Sequence, residues 1–189
     1  MKNITEVRWH GRGGQGAKSA AQFLAEAALD SGKYIQAFPE YGPERAGAPI
    51  RAYTRISDNV INIHSSVTSP DVVVVIDSTL ITPSVLEGLP KEGVLVVNSP
   101  DEPDVIRKNL SFKGGKVATV DATKIALETI KAPMPNTPML GALLKTYPIV
   151  SLDALESKIR DKFLKKIGEE KTAANIKAIK RAYEEVKLG

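Results

Sequence analysis

The sequence predicts an α/β fold of three layers, α/β/α, with a mixed sheet and a C-terminal helical extension. Over most of the chain, short β-branched runs alternate with segments rich in glycine and proline, which is typical of a sheet flanked by helices. The run PDVVVVIDS is apolar over the length of a strand, as expected for a central strand covered on both faces. After Thr123 the composition becomes helical. We therefore expect an α/β domain over residues 1–148, with residues 149–189 as a helical extension of the same domain.

The separate elements follow from the periodicity and from the residues that interrupt it. TEVRWH predicts the first strand, and AKSAAQFLAEAAL predicts a helix because its apolar residues fall on one face. The other predicted strands are KYIQAF, IRAYTRI, SDNVINIH, GVLVVNSP and KVATVDAT. SDNVINIH follows IRAYTRI so closely that we expect a hairpin between them. Two amphipathic stretches, 152–167 and 172–186, predict the C-terminal helices.

The composition excludes several classes of function. With no cysteine, the chain can form no disulfide, use no catalytic thiol and supply none of the usual ligands of an iron–sulfur cluster. His10 and His64 are the only histidines, and their spacing does not fit a zinc site. Much of the net charge of +4 lies after Lys158 in helical sequence, which favours solvated helix faces over nucleic-acid binding. Because no apolar run is long enough to span a bilayer, we expect a cytoplasmic protein without a membrane partner.

The stretch WHGRGGQGAKS, residues 9–19, resembles two phosphate-binding patterns and completes neither. Gly11, Gly13 and Gly16 give the G-x-G-x-x-G of a dinucleotide site, and the same stretch comes within one residue of the P-loop pattern G-x-x-x-x-G-K-[ST]. The predicted strand before it and the predicted helix after it place these glycines at a helix N-terminus. Backbone N–H groups and the helix dipole favour an anion there.

Neither complete pattern is well supported by the rest of the sequence. A dinucleotide site needs an acidic residue after the second strand to bind the ribose, yet KYIQAF contains no carboxylate. Asp77, at the end of VVVVID, imitates the acid opposite a P-loop, but Lys18 and Ser19 each come one helical position late, a rotation of about 100°. A dinucleotide site, an ATPase and glycines that serve only packing therefore remain open on the motif alone.

Four further residues are predicted to be structural. We expect Asp77 to cap the turn DST at the end of its strand. Asn136, Met139 and Leu140 are expected to pack beneath the glycine loop.

Three motifs resemble the gamma subunit of the pyruvate and related 2-oxoacid:ferredoxin oxidoreductases. They are, in chain order, GRGGQG, AFPEYGPERAGAP and NTPMLGALL. The resemblance extends from Val7 to Leu144. It implies a subunit without a redox cofactor of its own that is inactive alone, in agreement with the absence of cysteine. Thiamine diphosphate and Mg²⁺ would lie between the alpha and beta subunits, and the iron–sulfur clusters on a delta subunit that passes electrons to ferredoxin. Gamma corresponds to the domain that closes over coenzyme A, the co-substrate.

The resemblance also implies which residues meet the phosphates of coenzyme A. They are Gly11, Arg12, Gly13, Gly14, Gln15, Gly16 and Lys18 in the glycine loop, and Arg45 in the proline-rich loop. The glycines would give access to the backbone, Gln15 an amide contact, and the cationic side chains positive charge. In the second loop, Ala46 and Ala48 stand where many relatives have a basic residue and a glycine.

No catalytic residue and no metal ligand is expected in this chain. Pyruvate is the expected 2-oxoacid, although the motifs do not separate the branches of the family. The alternative hypothesis is a stand-alone nucleotide-binding or P-loop-like regulatory protein.

Overall fold

The computed structural model describes residues 4–40 and 47–189. At its centre lies a seven-stranded sheet with the order β2-β3-β1-β4-β5-β6-β7. The strands are β1 (Ile4–Arg12), β2 (Tyr34–Glu40), β3 (Pro49–Ser57), β4 (Val72–Val75), β5 (Val94–Asn98), β6 (Lys116–Val120) and β7 (Lys187–Leu188). β1, β4, β5 and β6 are parallel neighbours, whereas β3 is antiparallel to both β1 and β2, and β7 to β6. The predicted mixed sheet is therefore confirmed.

Helices cover both faces of this sheet, but unequally. They are α1 (Ala17–Asp30), α2 (Pro103–Asn109), α3 (Ala122–Thr129), α4 (Asn136–Thr146) and α5 (Leu152–Glu185), and two 3-10 turns, Ser78–Leu80 and Pro83–Leu86, follow β4. α1, α3, α4 and α5 enclose the larger core on one face. α2 and the second turn enclose a smaller core that takes its strand residues from β4, β5 and β6 alone. The three layers are confirmed. On the second face of β1, β2 and β3, the 3-10 turn near Val85 and the irregular residues 63–65 take the place of an α-helix among the described residues, and they bury Arg8 and Arg55.

The C-terminal segment α5 is a helical hairpin rather than a straight rod. At Gly168 the backbone leaves the helical region, with φ of 80° and ψ of 170°, a combination that glycine alone adopts readily. An ion pair of 3.0 Å joins Lys180 to Glu156. These two residues would lie about 36 Å apart in a straight helix. The halves therefore run antiparallel, which confirms the two stretches predicted from the amphipathic pattern.

Both halves of α5 contribute to the larger core. Leu155 and Ile159 come from the first half, and Ile176 and Ile179 from the second. This packing ties residues 149–189 to the sheet, and the domain boundary at residue 148 stays a prediction. None of the helices in the described ranges is long and apolar enough to cross a membrane.

One predicted strand is wrong. SDNVINIH forms no strand, because β3 ends at Ser57 and residues 58–71 are irregular. Both edges of β3 are already paired, to β1 and to β2, so that no edge is free for a hairpin partner. Arg55 instead fixes the irregular segment, since its guanidinium donates to the carbonyls of Ile63 at 3.4 Å and Ser65 at 2.7 Å.

Candidate functional site

The glycine loop connects the end of β1 to the start of α1, as the sequence predicts. Gly16 is the N-cap of α1 and has a φ of 80°, and no side chain caps this end of the helix. A Cβ on Gly16 would lie 2.4 Å from Nδ2 of the buried Asn136 at the start of α4. Gly16 therefore satisfies two constraints at once, a left-handed turn and close contact with α4.

The packing predicted beneath the loop is confirmed for Asn136, which lies against Gly16, and Met139 and Leu140 are core residues. Asn136 is 4% exposed, and Met139 and Leu140 are fully buried in the larger core. These residues fix the start of α1 against α4. The helix N-terminus, with its unpaired backbone N–H groups, is consequently held in one place relative to the sheet.

Arg12 is fixed by a neighbouring turn. Its Nε and Nη2 atoms donate to Oγ1 of Thr79 at 3.2 and 2.9 Å, and its Nη1 donates to the carbonyl of Gly47 at 3.2 Å. The Nε atom also lies 3.7 Å from a carboxylate oxygen of Asp77. The side chain is about one third exposed, so that the guanidinium is held at the surface of the loop rather than extended into solvent.

Gln15 closes the loop on the same carboxylate. Its Oε1 accepts from the backbone N–H of Arg12 at 2.8 Å, and its Nε2 donates to Asp77. The backbone N–H of Gln15 in turn donates to the carbonyl of Arg12 at 3.0 Å. These contacts make the loop compact, and the predicted contact of the Gln15 amide with a phosphate stays a prediction.

Asp77 connects the glycine loop to the turn after β4. As predicted, it caps that turn, accepting from the backbone N–H of Thr79 at 2.9 Å and from the Thr79 hydroxyl. Burial opposes ionisation of Asp77, but the hydrogen bonds from Thr79 and Gln15 outweigh it and hold its pKa below the ordinary value. Its contacts with Arg12 and Gln15 had no signal in the sequence, because they depend on the pairing of β1 with β4.

The other predicted loop residues differ in exposure. Gly11 is buried against Ala17, Gly13 donates its N–H to the carbonyl of Ala48 at 3.0 Å, and Gly14 is exposed. Lys18 is exposed in the first turn of α1 and has no ion pair among the residues that the structure describes. Arg45 lies outside the described residues.

The loop is not assembled as a P-loop site. Both carboxylate oxygens of Asp77, the acid that would face Mg²⁺, are engaged by donors of the protein itself. Within residues 4–40 and 47–189, no group of three or more histidine, aspartate or glutamate side chains could hold a metal ion.

A cleft of about 480 Å³ lies beside the loop, on the face of the sheet opposite α1. It is lined by His10, Glu40, Pro49, Ile50, Arg51, Thr79, Leu80, Thr82, Ser84 and Val85. Thr79 belongs both to this cleft and to the contacts of Arg12, so that cleft and loop are adjacent. Sequence reasoning missed the cleft, because its lining comes from β1, β2, β3 and the two 3-10 turns.

Comparison with known proteins identifies the family. The family described as "Pyruvate ferredoxin/flavodoxin oxidoreductase" matches residues 6–185. The pyruvate synthase subunit PorC of Thermotoga maritima is 56% identical over 186 residues, which cover 98% of this chain and 96% of that protein. The pyruvate/ketoisovalerate oxidoreductases common subunit gamma of Pyrococcus abyssi is 45% identical over 186 residues, which cover 98% of each chain.

Solved structures agree with this similarity. The crystal structure of the pyruvate oxidoreductase subunit PORC of Thermotoga maritima has a TM-score of 0.90 and 52% identity, covering 100% of this chain and 99% of that one. A 2-oxoglutarate:ferredoxin oxidoreductase from Magnetococcus marinus has a TM-score of 0.77 at 24% identity, covering 97% of this chain and 31% of that one. The second likeness concerns the fold alone.

The chain therefore belongs to the pyruvate ferredoxin/flavodoxin oxidoreductase family. Within that family it is a gamma subunit, the PorC type, of a multisubunit 2-oxoacid:ferredoxin oxidoreductase. The resemblance based on the three sequence motifs is confirmed. Membership of this family also rules out the alternative hypothesis of a stand-alone regulatory protein.

Proposed function

We infer that this chain acts only within an assembled enzyme that oxidatively decarboxylates a 2-oxoacid, pyruvate first among them, with coenzyme A as acyl acceptor and ferredoxin as electron acceptor. Thiamine diphosphate and Mg²⁺ are then held by alpha and beta subunits, and iron–sulfur clusters by a delta subunit. The observation that carries this inference is the similarity to PorC over nearly the whole of both chains. The lack of cysteine supports it, since the chain has no ligands for a cluster.

Within that enzyme, the glycine loop contacts the phosphates of coenzyme A. Three features of the loop support this role: a helix N-terminus without a side-chain cap, the exposed Lys18, and Arg12 at the surface of the loop. The N-terminus of a helix and its free N–H groups favour a bound phosphate, and a nearby cation adds to the attraction. Arg45 contributes a further guanidinium from the proline-rich loop.

Arg12 is prepared for this contact by its fixed position. Three of the five guanidinium N–H groups hold Thr79 and Gly47, which leaves two for a ligand. Because the side chain is already ordered, little conformational entropy is lost when the phosphate binds. Gln15 and Asp77 act as braces that keep the guanidinium in place, and they do not touch the phosphate.

The assembled enzyme tests the role of the loop. We expect Arg12→Ala or Lys18→Ala to raise the KM for coenzyme A by about one to two decades, because each removes one charge-assisted hydrogen bond to a phosphate. The KM for the 2-oxoacid should change little, because that substrate reacts before coenzyme A. Subunit composition is checked first by gel filtration.

Arg160→Ala is the matched control. Arg160 is half exposed and pairs with Glu169 near the tip of the α5 hairpin. The ion pairs of Lys158 with Asp30 and of Lys162 with Glu26 place this part of α5 beside the C-terminal half of α1, away from the loop. An unchanged coenzyme A dependence in the intact Arg12 and Lys18 variants would contradict the proposed contact.

The subunit role has its own test. Co-expression with thiamine-binding partner subunits should give a complex in fixed stoichiometry, and the chain alone should show no 2-oxoacid-dependent dye reduction. Substantial activity of the purified chain alone would overturn the proposal.

A further inference from the structure

The face of β1, β2 and β3 opposite α1 carries charged and polar side chains in register. At the end nearest the glycine loop, Glu40 of β2, Arg51 of β3 and His10 of β1 are direct neighbours across the strands. Arg51 and His10 both line the cleft of about 480 Å³, and Thr79, Thr82 and Ser84 add three hydroxyl groups to its wall. A pocket of this size with a few convergent polar groups is typical of a small-molecule site.

A buried cation lies behind His10. Arg8 is 2% exposed, and its three described hydrogen bonds go to neutral acceptors: Nε2 of His10 at 3.0 Å and the carbonyls of Val85 at 3.0 Å and Glu87 at 2.6 Å. Across the described ranges, no carboxylate lies within ion-pair distance of Arg8. Burial, followed by the charge of Arg51, lowers the pKa of Arg8. A buried charge without a counter-ion creates a positive potential around it.

His10 offers a hydrogen-bond donor in this positive field. Arg8 can only donate to Nε2, so that the neutral imidazole carries its proton on Nδ1. Burial and the charges of Arg8 and Arg51 lower the pKa of His10 to about 3, which keeps the ring neutral over the physiological range.

Among the described residues, two carboxylates near the cleft lie at its outer rim. Glu40 is exposed and accepts from the hydroxyl of Tyr53. Glu87 is 73% exposed and lies 3.8 Å from Arg51, a pair that solvent screens. The inner end of the cleft therefore combines the 40% exposed side chain of Arg51, the N–H of His10 and the charge of Arg8, which has no ion pair among the described residues.

We propose that the inner end of this cleft is an anion-binding subsite, separate from the glycine loop, where Arg51 and His10 receive a phosphate or carboxylate group. The inference holds whether or not the glycine loop contacts coenzyme A. The anion adds negative charge beside the buried Arg8, which has no ion pair among the described residues. Thr82 and Ser84, whose hydroxyl oxygens lie 2.8 Å apart, use one hydroxyl proton between them and keep the other for an oxygen of the anion.

Calorimetric titration of the full chain at low salt tests the subsite, with inorganic pyrophosphate and succinate as separate probes. We expect one of the two anions to bind with a Kd in the millimolar range, and the tighter probe identifies the preferred group. Arg51→Gln should weaken that binding at least about tenfold, as loss of a charge-assisted contact does. Arg51→Lys keeps the charge and should stay within about fivefold of the original Kd, which separates loss of charge from loss of fold.

Lys18→Gln distinguishes the subsite from the glycine loop. If the anion lies in the cleft, removal of the Lys18 charge should change its Kd less than twofold. Binding that is lost in Lys18→Gln and kept in Arg51→Gln would place the anion on the glycine loop, which overturns this subsite and leaves the proposed coenzyme A contact standing. The proposed subsite would also be overturned if neither probe binds at concentrations up to about 20 mM, because a weaker site would be of little use.

Discussion

Titration of His10 makes folding of this chain dependent on pH in a predictable way. The structure lowers the pKa of His10 to about 3 through burial and through the charges of Arg8 and Arg51. In the unfolded chain the imidazole has its ordinary pKa of about 6.5. Between these two values the unfolded state binds a proton that the folded state does not, so the free energy of unfolding falls as the pH falls.

The expected loss follows from the two pKa values. Between pH 7.5 and pH 4.5, protonation of the unfolded imidazole removes about 2.6 kcal/mol from the free energy of unfolding. His10→Gln abolishes this contribution, and its side-chain oxygen can still accept from Nε of Arg8. The difference in free energy of unfolding between the original chain and His10→Gln should therefore decrease by about 2.6 kcal/mol from pH 7.5 to pH 4.5. The carboxylates titrate in both proteins, so their contribution cancels in this difference.

Urea unfolding at the two pH values measures this difference. His64→Gln is the matched control, because it removes the other histidine of the chain from an exposed position. We expect His64→Gln to follow the original chain at both pH values. If the original chain and His10→Gln lose the same free energy within about 0.5 kcal/mol, the spread expected of an ordinary surface substitution, His10 is not held neutral by its cationic neighbours.

Four further substitutions test the packing and the loop. Asp77→Asn or Gln15→Glu alone should raise the KM for coenzyme A about tenfold, because either change places two donors or two acceptors opposite each other. The double variant restores one donor opposite one acceptor, and its KM should lie within about threefold of that of the original enzyme. Steady-state kinetics of the assembled enzyme measures these values. Gly141→Ala places a Cβ 2.1 Å from the carbonyl oxygen of Ile179 and should cost at least about 2 kcal/mol in urea unfolding. Gly168→Ala, in open space at a φ of 80°, should cost about 1–3 kcal/mol from backbone strain alone, and an unchanged unfolding midpoint would contradict the hairpin turn there.

The sequence predicts the features of this protein that depend on local patterning. The apolar run at Val72–Val75 is the central strand β4, the glycine stretch connects a strand to a helix, and the C-terminal helix is divided where the amphipathic pattern is interrupted. Each of these depends on neighbours in the chain, where periodicity and glycine chemistry act directly.

Features that depend on strand order could not be predicted in the same way. β3 lies between β1 and β2, which places Arg51 beside His10 and leaves no edge for the hairpin expected at SDNVINIH. The brace of Asp77 on Gln15 similarly requires β4 to pair with β1. Contacts between residues 41 or 62 positions apart have no periodic signal in a single sequence.

Hydrogen exchange in the assembled enzyme tests the contact between the glycine loop and coenzyme A most directly. Within residues 13–19, the backbone N–H groups of Ala17, Lys18 and Ser19 lie in the first turn of α1, which no side chain caps, and a bound phosphate would accept from them. With saturating coenzyme A, we expect exchange in this segment to slow by about tenfold or more, and exchange at the tip of the α5 hairpin, residues 163–171, to stay unchanged. Equal exchange of residues 13–19 with and without coenzyme A, in an enzyme shown to bind it, would contradict the role proposed for the loop.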